Sequence, residues 1–175
     1  MSEPKQIEID INPQLLEGML LRLEHTKWPP TIGEDSWDYG VPKHWMQDMV
    51  NYWTTEWKWE NVAAQINEWK HFSVTIDQVP IHYLHAPGKG PNPKPLVLTH
   101  GWPWTFWDFK DVIGPLSDPE KYGGDPMDSF DVYVPSLPGF IFSSPLTKAG
   151  VDVREIAKLW NLSLIHISEP TRHRR

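Results

Sequence analysis

An apolar run that passes through a tight turn into a helix pattern is the feature that most constrains the fold of this chain. Pro95 to Leu98 is short and unalternating, as is typical of a strand buried on both faces of a mostly parallel sheet. The turn residues His100-Gly101-Trp102-Pro103 follow, and apolar residues then recur at helical spacing from Phe106 to Leu116. The segment therefore predicts a strand, a turn and a helix that begins near Thr105 and packs on the sheet.

The turn between this strand and this helix is expected to lie at the carboxyl edge of the sheet. In open α/β folds that edge is where ligands bind. A turn that enters a helix leaves backbone N–H groups without partners, and such groups can stabilise a developing oxyanion. The alternative is a tight connection only, with Gly101 chosen for its backbone freedom and Pro103 for its fixed φ.

The rest of the chain predicts a helical region, a hairpin and further α/β elements. Helical spacing of apolar residues predicts three helices, over residues 13–25, 43–56 and 60–69. From His71 the apolar period changes to two on both sides of Asp77-Gln78, which predicts an antiparallel hairpin. Three later elements are predicted: a surface loop over residues 86–95, a strand over 130–134 and a helix over 151–161.

The composition favours a soluble globular protein that acts on a small molecule. The net charge of −7 argues against a nucleic-acid partner, because nucleic-acid-binding proteins carry a basic face. No cysteine is present, which excludes disulfides and thiolate chemistry, and no apolar run is long enough for a membrane anchor. We therefore expect a soluble, cytoplasmic protein without a membrane anchor; the composition does not indicate its oligomeric state.

Eleven tryptophans are an unusual load for a chain of 175 residues. A stacking platform for sugars or bases is one explanation. The other is core packing, since Trp45, Met49, Tyr52 and Trp53 follow helical steps. We favour core packing for most of this stripe, because large rings bury much area at a modest entropy cost.

Several segments, taken in order, resemble epoxide hydrolases of the microsomal type, which belong to the α/β-hydrolase superfamily. The strand, turn and helix described above resemble the third strand and first sheet helix of that fold, in which a His-Gly-x-Pro turn supplies half of the oxyanion hole. The other matching segments are Thr26–Pro29, Trp37–Pro42, Tyr52–Asn67, Gly123–Asp125, Phe130–Pro135 and Ser136–Phe140. The resemblance covers about residues 10–161, and its specificity lies in the set as a whole.

The resemblance implies an α/β fold that combines an N-terminal helical region with the first half of an α/β-hydrolase sheet. Residues 1–70 are expected to form the helical region. Residues 71–161 are expected to form an incomplete hydrolase core, with two antiparallel strands and then parallel strands with helices. Residues 162–175 do not continue the family pattern and look like a translated adaptor or vector read-through, with a genuine alternative tail as the other interpretation.

The activity that the resemblance implies is hydrolysis of an epoxide to a vicinal diol. In the resembled family an aspartate on a Gly-x-Asp-x-Gly elbow opens the epoxide ring, and a histidine-activated water hydrolyses the resulting ester. The elbow, the acid, the base and the lid all follow the helix that corresponds to the one predicted over residues 151–161. This chain is therefore expected to end before them and to be inactive alone. The implied substrate is a small apolar epoxide, and no cofactor or metal is implied.

The site residues that the resemblance assigns to this chain belong to the oxyanion-hole turn. The backbone N–H of Trp102 is the implied donor, and a cis peptide bond is implied before Pro103. His100, Gly101 and Pro103 are expected to shape the turn. The implied substrate contacts are Trp102, Trp104 and Phe140.

Two positions of this chain depart from the family pattern. Trp104 stands where the family usually has a small residue after His-Gly-Trp-Pro, and its ring is expected to narrow the pocket. Ile141 stands where the family usually has a glycine after Ser-Leu-Pro-Gly-Phe.

Two other patterns imitate a site but carry no catalytic assignment. Gly123-Gly124-Asp125 is not assigned as a nucleophile elbow, because the preceding residues are too polar for a buried strand and Pro126 follows the aspartate. Four histidines, His71, His82, His85 and His100, suggest a metal site. His82 and His85 are expected on opposite faces of one strand, so surface or hydrogen-bonded roles are predicted instead.

Two other functions are open on the sequence alone. One is a non-catalytic interaction protein that docks through its aromatic helices, which requires that the chain folds alone. The other is part of a different α/β-hydrolase, such as an esterase or a dehalogenase, although the motifs at Trp28, Trp37 and Tyr52-Trp53 disfavour it. In the family's strand order an incomplete sheet leaves Leu96 to Leu98 as a flat apolar edge, which favours association.

Overall fold

The computed structural model describes residues 2–33 and 36–167, with side chains described up to Leu162. The chain forms two compact units. One unit comprises Ile9–Gln65, and the other comprises the residues up to Glu8 together with the chain from Ile66 onwards. The family-based division between residues 70 and 71 and the origin of residues 162–175 stay predictions.

The first unit contains three helices, as the apolar spacing predicts. They are α1 (Pro13–Glu24), α2 (Lys43–Thr55) and α3 (Trp59–Ile66). The Asn12 side chain caps α1 by accepting a hydrogen bond from the Gln14 N–H at 2.9 Å, and Pro13 takes the first helical position. α3 ends earlier than predicted, at Ile66, because the Trp69 N–H turns back to the Ile66 carbonyl.

The aromatic stripe of α2 is not a packed core. No residue of α2 is buried, and Trp45, Tyr52 and Trp53 are 40%, 45% and 39% exposed. Trp45 makes an edge-to-face contact with Trp37, with ring centroids 5.9 Å apart. The prediction of core packing is therefore wrong for these three rings, because helical spacing marks an apolar face but does not supply an element that covers it.

The second unit is built on a five-stranded sheet with the order β1-β2-β3-β5-β4. The strands are β1 (Lys5–Ile7), β2 (Lys70–Ile76), β3 (Val79–Ala86), β4 (Lys94–Val97) and β5 (Phe130–Pro135). The predicted hairpin is confirmed: β2 pairs with β3, and Asp77 and Gln78 form its turn with φ of 46° and 69°. β1 was not predicted, because three residues are too few for a readable alternation, and it places residues 5–7 in the sheet and not in the helical region.

The strand β4 lies at an edge of the sheet in the described part of the chain. It pairs only with β5, in parallel, while the other three pairings are antiparallel. Leu96 and Val97 are half-buried, and Pro95 is exposed. The expectation of a mostly parallel sheet is therefore wrong for the described residues, because three of the four pairings are antiparallel. The expectation of a strand buried on both faces is also wrong there, because no residue of this edge strand is fully buried.

Helices cover the two faces of this sheet. Ile81 and Tyr83 of β3 pack in a cluster with Leu159 of the last helix, α5 (Val153–Ile167). The residue between them, His82, points to the other face and contacts Phe106. Phe106 begins a 3₁₀ turn that leads into α4 (Lys110–Ser117), so the helix predicted from Thr105 is confirmed. α5 continues beyond its predicted end at residue 161.

The segment after β5 is irregular and contains a strained residue. The Ser143 N–H closes a tight turn onto the Phe140 carbonyl at 2.8 Å. Ile141 in this turn has φ of +43°, in the left-handed region that a β-branched residue rarely adopts. Its side chain is 42% exposed, so little apolar burial compensates for the strain.

We expect Ile141→Gly to stabilise the chain, because glycine adopts a positive φ without a steric penalty. The relief of about 1–2 kcal/mol exceeds the entropic cost of glycine, which is about 0.5–1 kcal/mol, so the net gain should be about 1 kcal/mol. The measurement is the free energy of unfolding in urea. The control is Ile141→Ala, which removes the side chain but keeps the strain; an equal gain in both variants would contradict the backbone explanation.

Candidate functional site

The turn predicted from the sequence follows the carboxyl end of β4. The Leu98 N–H still bonds the Tyr133 carbonyl of β5 at 2.9 Å, and the chain then leaves the sheet. The Trp102–Pro103 peptide bond is cis, as the resemblance implies. The Trp104 N–H returns to the Gly101 carbonyl at 3.0 Å, which closes the turn over four residues.

A capping box fixes the point where the turn becomes helical. The Thr105 hydroxyl accepts from the Trp107 N–H at 3.1 Å, and the Asp108 carboxylate accepts from the Thr105 N–H at 2.6 Å. Asp108 thus has a helix-start role. The turn is thus held at both ends, by the sheet at Leu98 and by the cap at Thr105.

The predicted donor, the Trp102 N–H, has no hydrogen-bond partner within residues 2–33 and 36–167. Trp102 as a whole residue is 79% exposed, so the turn lies at the surface. By contrast, the N–H groups of Trp104 and Thr105 are already bonded within the turn. An amide N–H without a partner can donate a hydrogen bond to an oxyanion.

His100 is buried beneath this turn, at 4% exposure, and both of its ring nitrogens are bonded. The Leu137 N–H donates to Nε2 at 3.0 Å. Nδ1 lies 2.9 Å from the Gly101 carbonyl oxygen. The Phe140 ring packs edge-to-face on the imidazole, with centroids 5.5 Å apart. His100 therefore joins the turn after β4 to the segment after β5.

An open concavity of about 350 Å³ lies beside the turn. It is lined by Thr99, His100, Gly101, Trp104, Asp108 and Phe109. Of the predicted substrate contacts, Trp104 lines this concavity and is 60% exposed. Trp102 and Phe140 are not among its lining residues; Phe140 packs on His100 instead.

A buried polar network lies on the sheet face that carries His82. The Ile66 carbonyl can only accept, so His71 Nε2, at 2.9 Å, must be its donor. In a neutral pair His71 Nδ1 then accepts from His82 Nε2 at 3.0 Å, and the Ser136 hydroxyl donates to His82 Nδ1 at 2.8 Å. All three side chains are at most 1% exposed, so this serine and histidine serve packing and not nucleophilic chemistry.

Burial keeps this histidine pair neutral. The pKa of His82 is lowered to about 3, mainly by burial and to a smaller extent by the neighbouring His71. Burial also lowers the pKa of His71, against the hydrogen bond to the Ile66 carbonyl. The sequence predicted hydrogen-bonded histidines, but nothing in it indicated that two residues eleven positions apart would share one bond.

His85 lies in a different cluster, away from the turn. Its Nε2 is 2.9 Å from Asp131, whose other carboxylate oxygen accepts from the Tyr133 hydroxyl at 2.7 Å. Burial raises the pKa of Asp131, but the hydrogen bonds from Tyr133 and His85 outweigh it and hold that pKa below its usual value. Asp131 lies near the amino end of β5, so the structure does not bring this cluster to the site.

Gly123-Gly124-Asp125 lies between two 3₁₀ turns ahead of β5 and does not follow a strand. The Asp125 side chain accepts from the Met127 N–H at 2.8 Å. The geometry is that of a capped loop and not of a nucleophile elbow.

A match to a protein family identifies the kind of protein in which this turn and sheet occur. The family described as Epoxide hydrolase N terminus matches residues 4–109, which include the turn at His100-Gly101-Trp102-Pro103. The chain belongs to the epoxide hydrolase family. It corresponds to the N-terminal part of these enzymes, and the predicted fold class, helices with a mixed sheet of the α/β-hydrolase type, is confirmed.

Individual epoxide hydrolases are similar over most of this chain. A Stigmatella aurantiaca protein whose name contains the words epoxide hydrolase is 38% identical over 153 residues, which is 87% of this chain and 35% of that protein. Epoxide hydrolase 1 of Oryctolagus cuniculus is 26% identical over 162 residues, which is 89% of this chain and 35% of that protein. The chain thus spans about a third of the length of these relatives.

Solved epoxide hydrolases have the same fold over this part. The Aspergillus niger enzyme superposes with a TM-score of 0.79 at 24% identity, over 93% of this chain and 43% of that one. The juvenile hormone epoxide hydrolase of Bombyx mori gives 0.81 at 22% identity, over 95% and 44%. No helix in the described part of this epoxide hydrolase chain is long and apolar enough to cross a membrane.

Gly101 can be tested against a glycine that the fold requires. A Cβ at Gly101 would meet Trp104 at 3.6 Å, an ordinary contact, and φ there is not positive. A Cβ at Gly90 would collide with the Pro126 carbonyl. We expect Gly101→Ala to change the unfolding free energy by less than about 0.5 kcal/mol and Gly90→Ala to cost more than about 2 kcal/mol, both measured in urea. Equal losses would contradict the geometry and support the interpretation that the turn needs glycine.

The neutral histidine pair predicts acid-sensitive stability. The unfolded chain binds a proton at His82 near pH 6.5, whereas the folded chain binds it only near pH 3. The contribution is therefore fully present above pH 6.5 and is lost as the pH falls towards 3, with a slope of up to about 1.4 kcal/mol per pH unit. Urea unfolding at several pH values measures this slope.

The comparison variants for this experiment are His82→Gln and His25→Gln. His82→Gln removes the titrating ring and should flatten the acid slope, whatever its absolute stability. His25 is exposed on the end of α1, and its replacement should leave the slope of the parent chain. An acid slope that survives in His82→Gln would contradict the assignment to this residue.

Proposed function

We propose that the protein that carries this sequence hydrolyses epoxides to vicinal diols, and that this chain supplies one backbone donor of its oxyanion hole. The observation that supports the proposal is the Trp102 N–H, which has no partner in the described residues and belongs to an exposed residue in the turn after β4. Membership of the epoxide hydrolase family supplies the reaction class.

The donor has a defined place in the proposed reaction. A carboxylate attacks one carbon of the epoxide, the carbon–oxygen bond breaks, and an ester of the protein forms. Water then loses a proton to a base and adds to the ester carbonyl, so that negative charge develops on the carbonyl oxygen; the ester carbon–oxygen bond breaks, the diol leaves and the carboxylate is restored. The Trp102 N–H binds this oxyanion. It therefore accelerates hydrolysis of the ester and not the opening of the ring.

One donor is worth about 3 kcal/mol of the barrier, which is a factor of 10²–10³ in rate, and cannot replace a nucleophile. We assign no nucleophile within the described residues. We therefore propose that the 175 residues alone do not turn over an epoxide such as styrene oxide.

The proposed substrate is a small apolar epoxide. Aromatic rings flank the turn, with Trp102 and Trp104 largely exposed and Phe140 half-buried behind His100. Such rings favour an apolar ligand over a charged one. Trp104 lines the concavity, so it is the residue we propose as a direct contact. The cytoplasmic location expected from the sequence stays a prediction.

The exposed aromatic rings of α2 favour a second candidate, a docking function. Trp45, Tyr52 and Trp53 each expose more than a third of their surface. A protein that only docks would show no dependence of any chemical step on the Trp102 amide. The experiment below therefore separates the two candidates.

The proposed function is tested by removing the Trp102 N–H while the tryptophan side chain is kept; the change also makes the Gly101 carbonyl a weaker acceptor, and the control below carries the same kind of carbonyl change. In full-length protein that contains this sequence, the α-hydroxy analogue of tryptophan at position 102 replaces the amide by an ester and keeps the side chain. We expect hydrolysis of the protein ester to slow by about 10²-fold, while ring opening keeps its rate. Because the ester then accumulates, kcat and KM should fall together.

Rapid mixing followed by mass spectrometry of the protein ester measures the two steps separately. The control places the same amide-to-ester change at Trp107, whose N–H donates to the Thr105 hydroxyl that caps the helix start. The isolated chain is the second control and should form no diol. Absence of diol from the unmodified full-length protein, or an unchanged hydrolysis step in the Trp102 variant, would reject the proposed role.

A further inference from the structure

The contacts of His100 fix which of its nitrogens carries the proton. A backbone N–H can only donate, so the Leu137 N–H at 3.0 Å requires that Nε2 is unprotonated. A carbonyl oxygen can only accept, so the Gly101 carbonyl at 2.9 Å requires a proton on Nδ1. The two contacts together select one neutral tautomer, and the other tautomer would place two donors and two acceptors face to face.

The contact between His100 Nδ1 and the Gly101 carbonyl also determines where the Trp102 N–H points. The Gly101–Trp102 peptide bond is trans, so its carbonyl and its N–H point in opposite directions. The carbonyl is held from one side by His100 Nδ1–H and by the Trp104 N–H at 3.0 Å. With its oxygen held twice, the peptide plane cannot rotate, and the Trp102 N–H is directed away from the imidazole.

The peptide that selects the tautomer is itself held at both ends. In the Ser136–Leu137 peptide, the carbonyl accepts from the Ser143 hydroxyl at 2.8 Å while the N–H binds His100. The Ser143 hydroxyl in turn accepts from the His82 N–H at 2.9 Å. Donors therefore follow one direction, from the His82 N–H through Ser143, the 136–137 peptide and His100 to Gly101.

A hydrogen-bonded chain with one direction polarises each successive donor. The last member of this hydrogen-bonded chain is the Gly101–Trp102 peptide, whose N–H has no partner in the described residues. Preorganised donors contribute most to catalysis when they need no reorientation as charge develops.

From this geometry we propose that His100 is a positioning residue, which aims the Trp102 N–H by holding the Gly101 carbonyl, and that the Leu137 N–H is the group that keeps it in the required tautomer. The proposal rests on the proposed function of Trp102 for its catalytic consequence. The tautomer and the peptide orientation do not depend on that function. His100 does not touch the reacting atoms.

The first experiment reads the tautomer directly. Nitrogen NMR of the full-length protein with ¹⁵N-labelled histidine should show His100 with a protonated Nδ1 and an unprotonated Nε2. The buried pair His71 and His82 provides folded-state signals in the same spectrum. A protonated Nε2 on His100 would overturn the proposal.

The second experiment separates the two contacts with a matched pair of variants. Asparagine places its amide N–H where Nδ1 lies, so His100→Asn keeps a donor for the Gly101 carbonyl and loses the acceptor for the Leu137 N–H. Glutamine places its amide oxygen where Nε2 lies, so His100→Gln keeps an acceptor for the Leu137 N–H and loses the donor for the Gly101 carbonyl. We expect the protein ester to be hydrolysed about tenfold more slowly in His100→Gln and within about threefold of the parent in His100→Asn.

The ring-opening step and the Trp102 amide resonance show whether the effect is positional. Ring opening should keep its rate in both variants, and the Trp102 amide proton shift should move in His100→Gln but not in His100→Asn. Positioning through Gly101 would be rejected if a variant slowed ring opening and ester hydrolysis equally. It would also be rejected if His100→Gln hydrolysed the ester at the rate of the parent protein. If the full-length protein forms no diol at all, the proposed function fails, while the tautomer and the amide shifts still decide the inference.

Discussion

The parallel pairing of β4 with β5 is the constraint on which the site depends. Because the two strands run in the same direction, their carboxyl ends reach the same edge of the sheet. The turn that follows β4 and the segment that follows β5 therefore meet there. His100 and Leu137, which are 37 positions apart, come within one hydrogen bond. Without this pairing the Trp102 amide would belong to a free loop.

Around this edge the interior is unusually polar, and its polar atoms are matched to one another. His82, Ser136 and Ser143 are fully buried, and each has a hydrogen-bond partner. A buried polar group without a partner costs about 1–3 kcal/mol, so these bonds allow few alternative arrangements of the segments that they join. The specificity of the site thus comes from buried hydrogen bonds, while the apolar cluster on the other sheet face, around Val74 and Tyr83, supplies burial.

Local sequence patterns predicted much of this fold. The helix α1, the hairpin with Asp77-Gln78 and the strand-turn-helix segment were readable, because each depends on neighbours within a few positions. Burial was less readable. The stripe on α2 and the run in β4 have the composition of buried elements, yet both are partly exposed in the described structure. Periodicity identifies an apolar face, but the partner that covers it lies elsewhere in the chain.

The sequence by itself determined the family, the order of the main elements after β1 and the turn that carries Trp102, because these follow from short-range sterics and from motifs of a few residues. It also located Ile141 as a departure, although not its positive φ. Only the tertiary structure decided the tautomer of His100, the neutral state of His82 and the direction of the Trp102 N–H. The His100 tautomer depends on the Leu137 N–H, 37 positions away, and the His82 ring is bonded to His71 and Ser136, 11 and 54 positions away. Hydrogen bonding across such separations is set by the packing of strands and not by local sequence.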